Sequence, residues 1–218
     1  MSLNPGAIGA AEKHLTPEVI DRLIPAYLQT YRGPHGGAPG SEGAVTGPLR
    51  RPSDGSEAMV EAQYRLGRQR SAGATLVAVY GADEPGGFGP ALQVITDNAA
   101  MLMDSVTVLL HRVGVAYKAI MNPVFRVRRG AGGELLDIVP SSEATFGDGV
   151  DETWVHVQLS SAVDRRALAE AERLLPRVLA DARQVALDSQ SMGATLRGLA
   201  AELDSDTGRR FRSADRKD

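Results

Sequence analysis

The residues of this chain best suited to chemistry gather where an apolar run gives way to another. Thr96, Asp97, Asn98 and Ala99 follow Ala91-Leu92-Gln93-Val94-Ile95 and precede the apolar stretch Leu102 to Val113. A strand running into a helix presents N–H groups that lack intrahelical partners and carry partial positive charge, a natural seat for a carboxylate. Asp97 beside that seat would pair with an ammonium, so the junction suits a zwitterionic amino acid. The plainer reading of Asp97 is a helix cap. Asp104 and Ser105 come about two turns into the expected helix, and Asp104, seven residues after Asp97, shares roughly one face with it. Within an otherwise apolar helix, Asp104 either meets a ligand or bonds a nearby loop.

Other kinds of chemistry find little support. Cysteine is absent from the 218 residues, which excludes a disulfide framework, thiol catalysis and thiolate metal sites. His14, His35, His111 and His156 are scattered without metal-ligand spacing. Gly86-Gly87-Phe88-Gly89 and Gly130-Ala131-Gly132-Gly133 lack the spacing and the following helix of a dinucleotide loop. No phosphate loop and no nucleophile elbow occurs. These residues therefore assign no catalytic group, no metal and no cofactor to the chain. The net charge of -3 gives no basic field toward nucleic acid or anionic lipid. The start lacks a secretory pattern, and no apolar run reaches membrane-spanning length, so a cytoplasmic protein is expected.

A second set of residues reads as a binding surface. Val155, Val157 and Leu159 alternate with Trp154, His156 and Gln158, and Phe125 and Val127 alternate with Arg126 and Arg128. If helices cover the aliphatic sets, Arg126, Arg128, Trp154 and His156 are left on an open sheet face. Arginine with aromatic residues is the composition of an interface core.

The elements that must position these residues follow from period and punctuation. Thr16-Pro17-Glu18 opens a helix to about Tyr31. Residues 33–55 are rich in Gly and Pro and read as a flexible linker. A second helix is predicted over 56–69, with strands at 75–80 and 91–96. Asp97 is expected to cap a helix reaching Val113, with Gly114 closing it. A strand over 115–120 bends at Asn122-Pro123 and continues, or turns into a hairpin arm, over 124–129. A stretch at 135–139, a loop at 140–152 and an alternating strand at 153–159 follow. A helix from about 164 to 189 carries a seven-residue seam and a disruptive Pro176. A short helix at 192–203 and a charged tail, 205–218, complete the chain. The expected fold class is α+β, a ferredoxin-like sandwich with a mostly antiparallel sheet and helices on one face. N-terminal helices (1–32) lie outside the sandwich domain (56–204).

Several stretches, taken in order, resemble the N-terminal region of the large bacterial NAD-specific glutamate dehydrogenases. Val94 to Val106 is similar to that family's "IVNDDMPFLVDSV", and Asn122 to Arg129 to its "HPVLRVRRD". Gly133-Glu134-Leu135 matches "GEL", Glu152 to Leu159 resembles "ESWIHIEID", and Leu174 to Ala186 resembles a helix near the end of that region. The chain departs at Asn98, Ala99 and Ala100, where Asp, Met and Pro are usual, and at Asn122, where His is usual. The resemblance implies an ACT-like domain whose parent enzyme deaminates L-glutamate oxidatively with NAD in a domain far downstream. It implies a regulatory or assembly role, with other domains and subunits as partners and an amino acid as a possible effector. A purely structural inter-domain scaffold or a stand-alone amino-acid-binding ACT-like module is the alternative. In an ACT-like sandwich the strand at 75–80 is expected to take the place of the missing last strand.

Overall fold

The computed structural model describes residues 15–33, 55–83 and 86–214. The expected linker over 33–55 lies almost wholly outside the described residues. The alternating segment near the end of the sandwich forms the longest strand, β6 (Val150–Leu159), and the sheet is organised around it. On one side of β6 lies β2 (Ala91–Asp97), with β1 (Leu76–Tyr80) at the edge beyond it. On the other side lie β3 (Tyr117–Met121) and β4 (Val124–Arg129) end to end, each paired with a different half of β6. Asn122-Pro123 therefore bends one continuous edge rather than opening a hairpin. A hairpin does follow: β4 turns through Gly130–Gly133 into the edge strand β5 (Leu135–Pro140). Every pairing is antiparallel.

The helix α3 (Leu102–Arg112) connects β2 to β3, two strands that run parallel with β6 between them. This is the split βαβ core that the element order predicts. β1 lies antiparallel on the free edge of β2, where a βαββαβ chain places its last strand, as expected. The α+β class and the mostly antiparallel sheet hold.

Helices cover both faces. On one, α3 and the first part of α4 (Arg165–Ala214) close over Leu92, Val94, Val155, Val157 and Leu159. On the other, α1 (Pro17–Gln29) and α2 (Ser56–Gly67) close over Ala91, Ile95, Phe125, Val127 and Trp154. No described helix is long and apolar enough to cross a membrane.

Helices were expected on one face of the sheet and cover both, and further expectations need correction. First, no open sheet face carries Trp154 and His156, since both are fully buried beneath the N-terminal helices. Second, Arg126 and Arg128 do not share their face. The register sets Phe125 opposite Glu152, which puts Phe125 and Val127 with Trp154 and sends both arginines to the other side. Alternation within one strand fixes only which residues lie together, while pairing decides which face they join.

Third, Asp97 does not cap α3. It is still paired with Glu152 at the end of β2, and the Asn98 N–H donates to Asp151 O at 2.9 Å, extending the ladder. The turn comes later, at Met101, a non-glycine residue with φ of 64°. Fourth, α4 is not broken at Pro176 and runs on to Ala214, where a separate short helix and a loose tail were expected. Pro176 and Glu172 lie on the exposed side of α4, the side on which a proline's missing N–H donor is least costly. The loop expected over 140–152 is shorter as well, because β6 begins at Val150.

Candidate functional site

The chemistry-bearing side chains converge where β2 ends, and a strand, two helical layers and a turn meet there. Glu152, the third residue of β6, is in phase with Trp154 and His156 and is fully buried. Its carboxylate accepts from Arg70 Nη1 at 2.6 Å, from Arg129 Nε at 2.6 Å and Nη2 at 2.9 Å, and from Trp154 Nε1 at 3.0 Å. Burial raises its carboxyl, but the Arg129 hydrogen bonds, the charges of Arg70 and Arg129 and the indole N–H outweigh that and hold it below the ordinary carboxylate value.

Arg70 follows α2 and is itself 2% exposed. Its guanidinium also donates to Asp97 Oδ1 at 2.5 Å and to the Ala74 carbonyl at 2.7 Å. Arg129 ends β4 and donates to the carbonyls of Gly67 and Gly133, both at 2.9 Å. From the opposite layer, Arg183 of α4 donates to Thr96 Oγ1 at 2.7 Å and Gly73 O at 2.7 Å, and lies 3.5 Å from Asp97 Oδ2. One carboxylate, Asp97, thus stands between an arginine from each helical layer.

Two glycines make the approach possible. A Cβ on Gly67 would lie 2.6 Å from the Trp154 ring, so only glycine lets α2 sit this close. Gly133 has φ of +91°, and a Cβ there would meet the Arg70 carbonyl at 2.4 Å. The Arg70 N–H donates to Gly133 O at 3.0 Å, which fastens the β4–β5 turn to the end of α2.

The remaining sequence-predicted residues are placed as follows. Thr96 is buried and, besides Arg183, has Thr75 Oγ1 at 3.1 Å. Asn98 is held by Thr153, whose hydroxyl donates to Asn98 Oδ1 at 2.8 Å. Ala99 packs against the α3/α4 core. Asp104 is exposed in the first turn of α3, where its charge favours the helix dipole. Ser105 donates back to Met101 O at 2.9 Å. So the structure unites Thr96 and Asp97 with arginines, while Asp104 stands apart. Arg126 pairs with Asp151, and Arg128 pairs with Asp137 and lies over the Phe146 ring at 5.3 Å. His156 Nδ1 faces Gln93 Nε2 at 3.3 Å, and burial pushes its ring down to about 4.

Sequence reasoning missed Arg70, Glu152, Arg129 and Arg183 as members of this knot. Two of them carried a signal. Glu152 is in phase with Trp154, and Arg129 with Phe125 and Val127, so period two sets each charge among large apolar residues, and wherever those are buried the charges need partners. Arg70 and Arg183 come from outside the sheet and carry no such phase.

A carboxylate saturated by four donors and an aspartate shared by two guanidiniums form a structural clamp. Among the described residues, no group of three or more His, Asp and Glu is placed to hold a metal ion. A family model for the glutamate dehydrogenase ACT1 domain matches residues 49–175. That span contains the whole sheet, α2, α3 and all of the knot except Arg183. The chain belongs to the glutamate dehydrogenase ACT1 domain family. An NAD-specific glutamate dehydrogenase of Mycobacterium tuberculosis is 49% identical over 222 residues, covering 100% of this chain but 14% of that protein. A second NAD-specific glutamate dehydrogenase, from Pseudomonas aeruginosa, is 28% identical over 113 residues, which is 52% of this chain and 7% of that protein. The ACT1 chain therefore spans about one seventh of the first relative's length. No solved structure gives a significant match.

Proposed function

We propose that this ACT1 domain is the non-catalytic N-terminal regulatory or assembly domain of a large NAD-dependent glutamate dehydrogenase. The parent reaction is the oxidative deamination of L-glutamate to 2-oxoglutarate and ammonia, with NAD reduced elsewhere in the polypeptide. The observation that carries this reading is the 49% identity sustained across all of the chain yet only 14% of the relative. The geometry supports an assembly role over an amino-acid seat at Asp97. Its carboxylate already faces the guanidiniums of Arg70 and Arg183, so an incoming ammonium would have to displace an existing partner. The same clamp ties α2, the sheet and α4 together, so a force on one helical layer is passed to the other through Asp97.

The test compares the intact polypeptide with a version lacking these 218 residues. Glutamate-dependent NAD reduction is expected to be absent from this chain alone and present in the shortened polypeptide. Subunit association, followed by light scattering, or the response to amino acids is expected to change. Turnover by this chain alone, or a shortened enzyme identical in assembly and response, refutes the proposal.

A further inference from the structure

The second half of α4 carries an apolar seam that no described element covers. In the first half, Ala171 and Leu175 are fully buried against the sheet and α3. The same alternating steps of three and four residues then continue through Val185, Ser189, Met192, Leu196, Leu199 and Leu203. Of these, Met192, Leu196 and Leu203 are 62%, 66% and 69% exposed. A seam with this repeat is the contact line of a coiled coil. Among the described residues, these apolar side chains thus continue a packed interface without an element packed over them.

The borders of the seam say what kind of helix fits it. Asp181, Asp188 and Glu202 line one border, while Ala186, Gly193 and Ala200 line the other. A second copy is a poor occupant in either direction. In a parallel pair, the partner's first half would run along the seam where this domain's own sheet and α3 already sit. In an antiparallel pair, borders of the same kind face each other, so Asp188 and Glu202 of one helix would meet the acidic border of the other. A helix of different sequence escapes both obstacles if its facing border is basic.

We infer that the strip from 187 to 203 docks an amphipathic helix with a lysine- or arginine-rich border, supplied by another segment of the same long polypeptide. This rests on the proposal that the chain belongs to a long glutamate dehydrogenase, and the one seventh of the relative that it covers leaves ample chain to supply such a helix. Covalent connection also lets a short strip suffice, because the partner is held at high effective concentration.

Amide exchange followed by mass spectrometry tests this on the intact polypeptide and on the 218-residue chain. Residues 187–203 are expected to exchange at least about tenfold more slowly in the intact protein. That protection should vanish in Leu196→Glu/Leu199→Glu and weaken in Asp188→Lys/Glu202→Lys, with the sheet unchanged in both. Equal exchange in the two proteins overturns the inference, and so does protection indifferent to the charge reversal. Concentration-dependent dimerisation of the 218-residue chain through this strip would assign it to a second copy instead. The mass of the natural product separates the two ideas: a product near 23.1 kDa removes the long-enzyme reading itself, whereas a long product with an unprotected strip removes only the docking.

Discussion

One face of the sheet meets α3 and α4 through Leu92, Val94, Val155, Val157 and Leu159, which pack against Leu175 and Leu179. The other meets α1 and α2 through Trp154 and Phe125, with Gln63, Gln93, His156 and Glu152 buried among them. The aliphatic face can be joined by helices in many ways, since its contacts have no direction. On the polar face most groups are held by particular partners, although Gln93 Oε1 and His156 Nε2 have none among the described residues. Tyr27 Oη donates to Gln63 Oε1 at 2.9 Å, and Gln63 Nε2 donates to the Val155 and Val94 carbonyls at 2.9 and 3.2 Å. The comparison teaches that polar residues in a strand need not mark a face open to partners. Here they set where a separate pair of helices docks.

The sharpest break of that comparison is Glu152→Gln. It leaves Arg70 and Arg129 buried beside a neutral group, and removing one partner of a buried pair costs about 3–5 kcal/mol. Urea denaturation should show that loss; a loss under about 1 kcal/mol would mean that the Asp97 pairs and the backbone contacts hold the knot without the Glu152 charge. A smaller effect is expected for Gln63→Leu. It strands the Tyr27 hydroxyl under α2, at about 1–3 kcal/mol, and should raise proteolysis within α1 before it disturbs α3 or α4.

The gentlest probe is pH. Burial holds His156 down at about 4, against about 6.5 in the unfolded chain. Protonation would also turn Nδ1 into a donor facing the Gln93 amide nitrogen. The stability from keeping this ring neutral is complete above the unfolded value and is lost as pH falls from there toward about 4, by at most about 1.4 kcal/mol per pH unit. Glu152, whose carboxyl is held low, adds its own loss at more acid pH. A His156→Phe variant should flatten the slope between about pH 6.5 and 5. An unchanged slope there would place the acid sensitivity elsewhere.

Much of the fold was legible because it rests on local repetition. The two-residue alternation of Val155, Val157 and Leu159 marks β6, and the seven-residue seam from Leu168 to Val185 marks α4. The edge position of β1 followed from counting strands in a sandwich that lacked its last one. The helix start was misplaced because Asp97 is an ordinary capping residue by type. Only its pairing with Glu152 and its two arginines shows that the strand has not yet ended.

By itself, then, the sequence determined which residues alternate together, the order of most helices and strands though not all of their ends, and the family. Tertiary structure alone decided that Trp154 and His156 are covered and that Arg126 and Arg128 point away from them. It also brought Arg70, Arg129 and Arg183 onto two carboxylates. The physical reason is range. Period and propensity act over a few neighbouring residues, whereas strand register and the docking of α1 and α2 join groups far apart in the chain, as with Arg70 and Glu152, 82 positions apart.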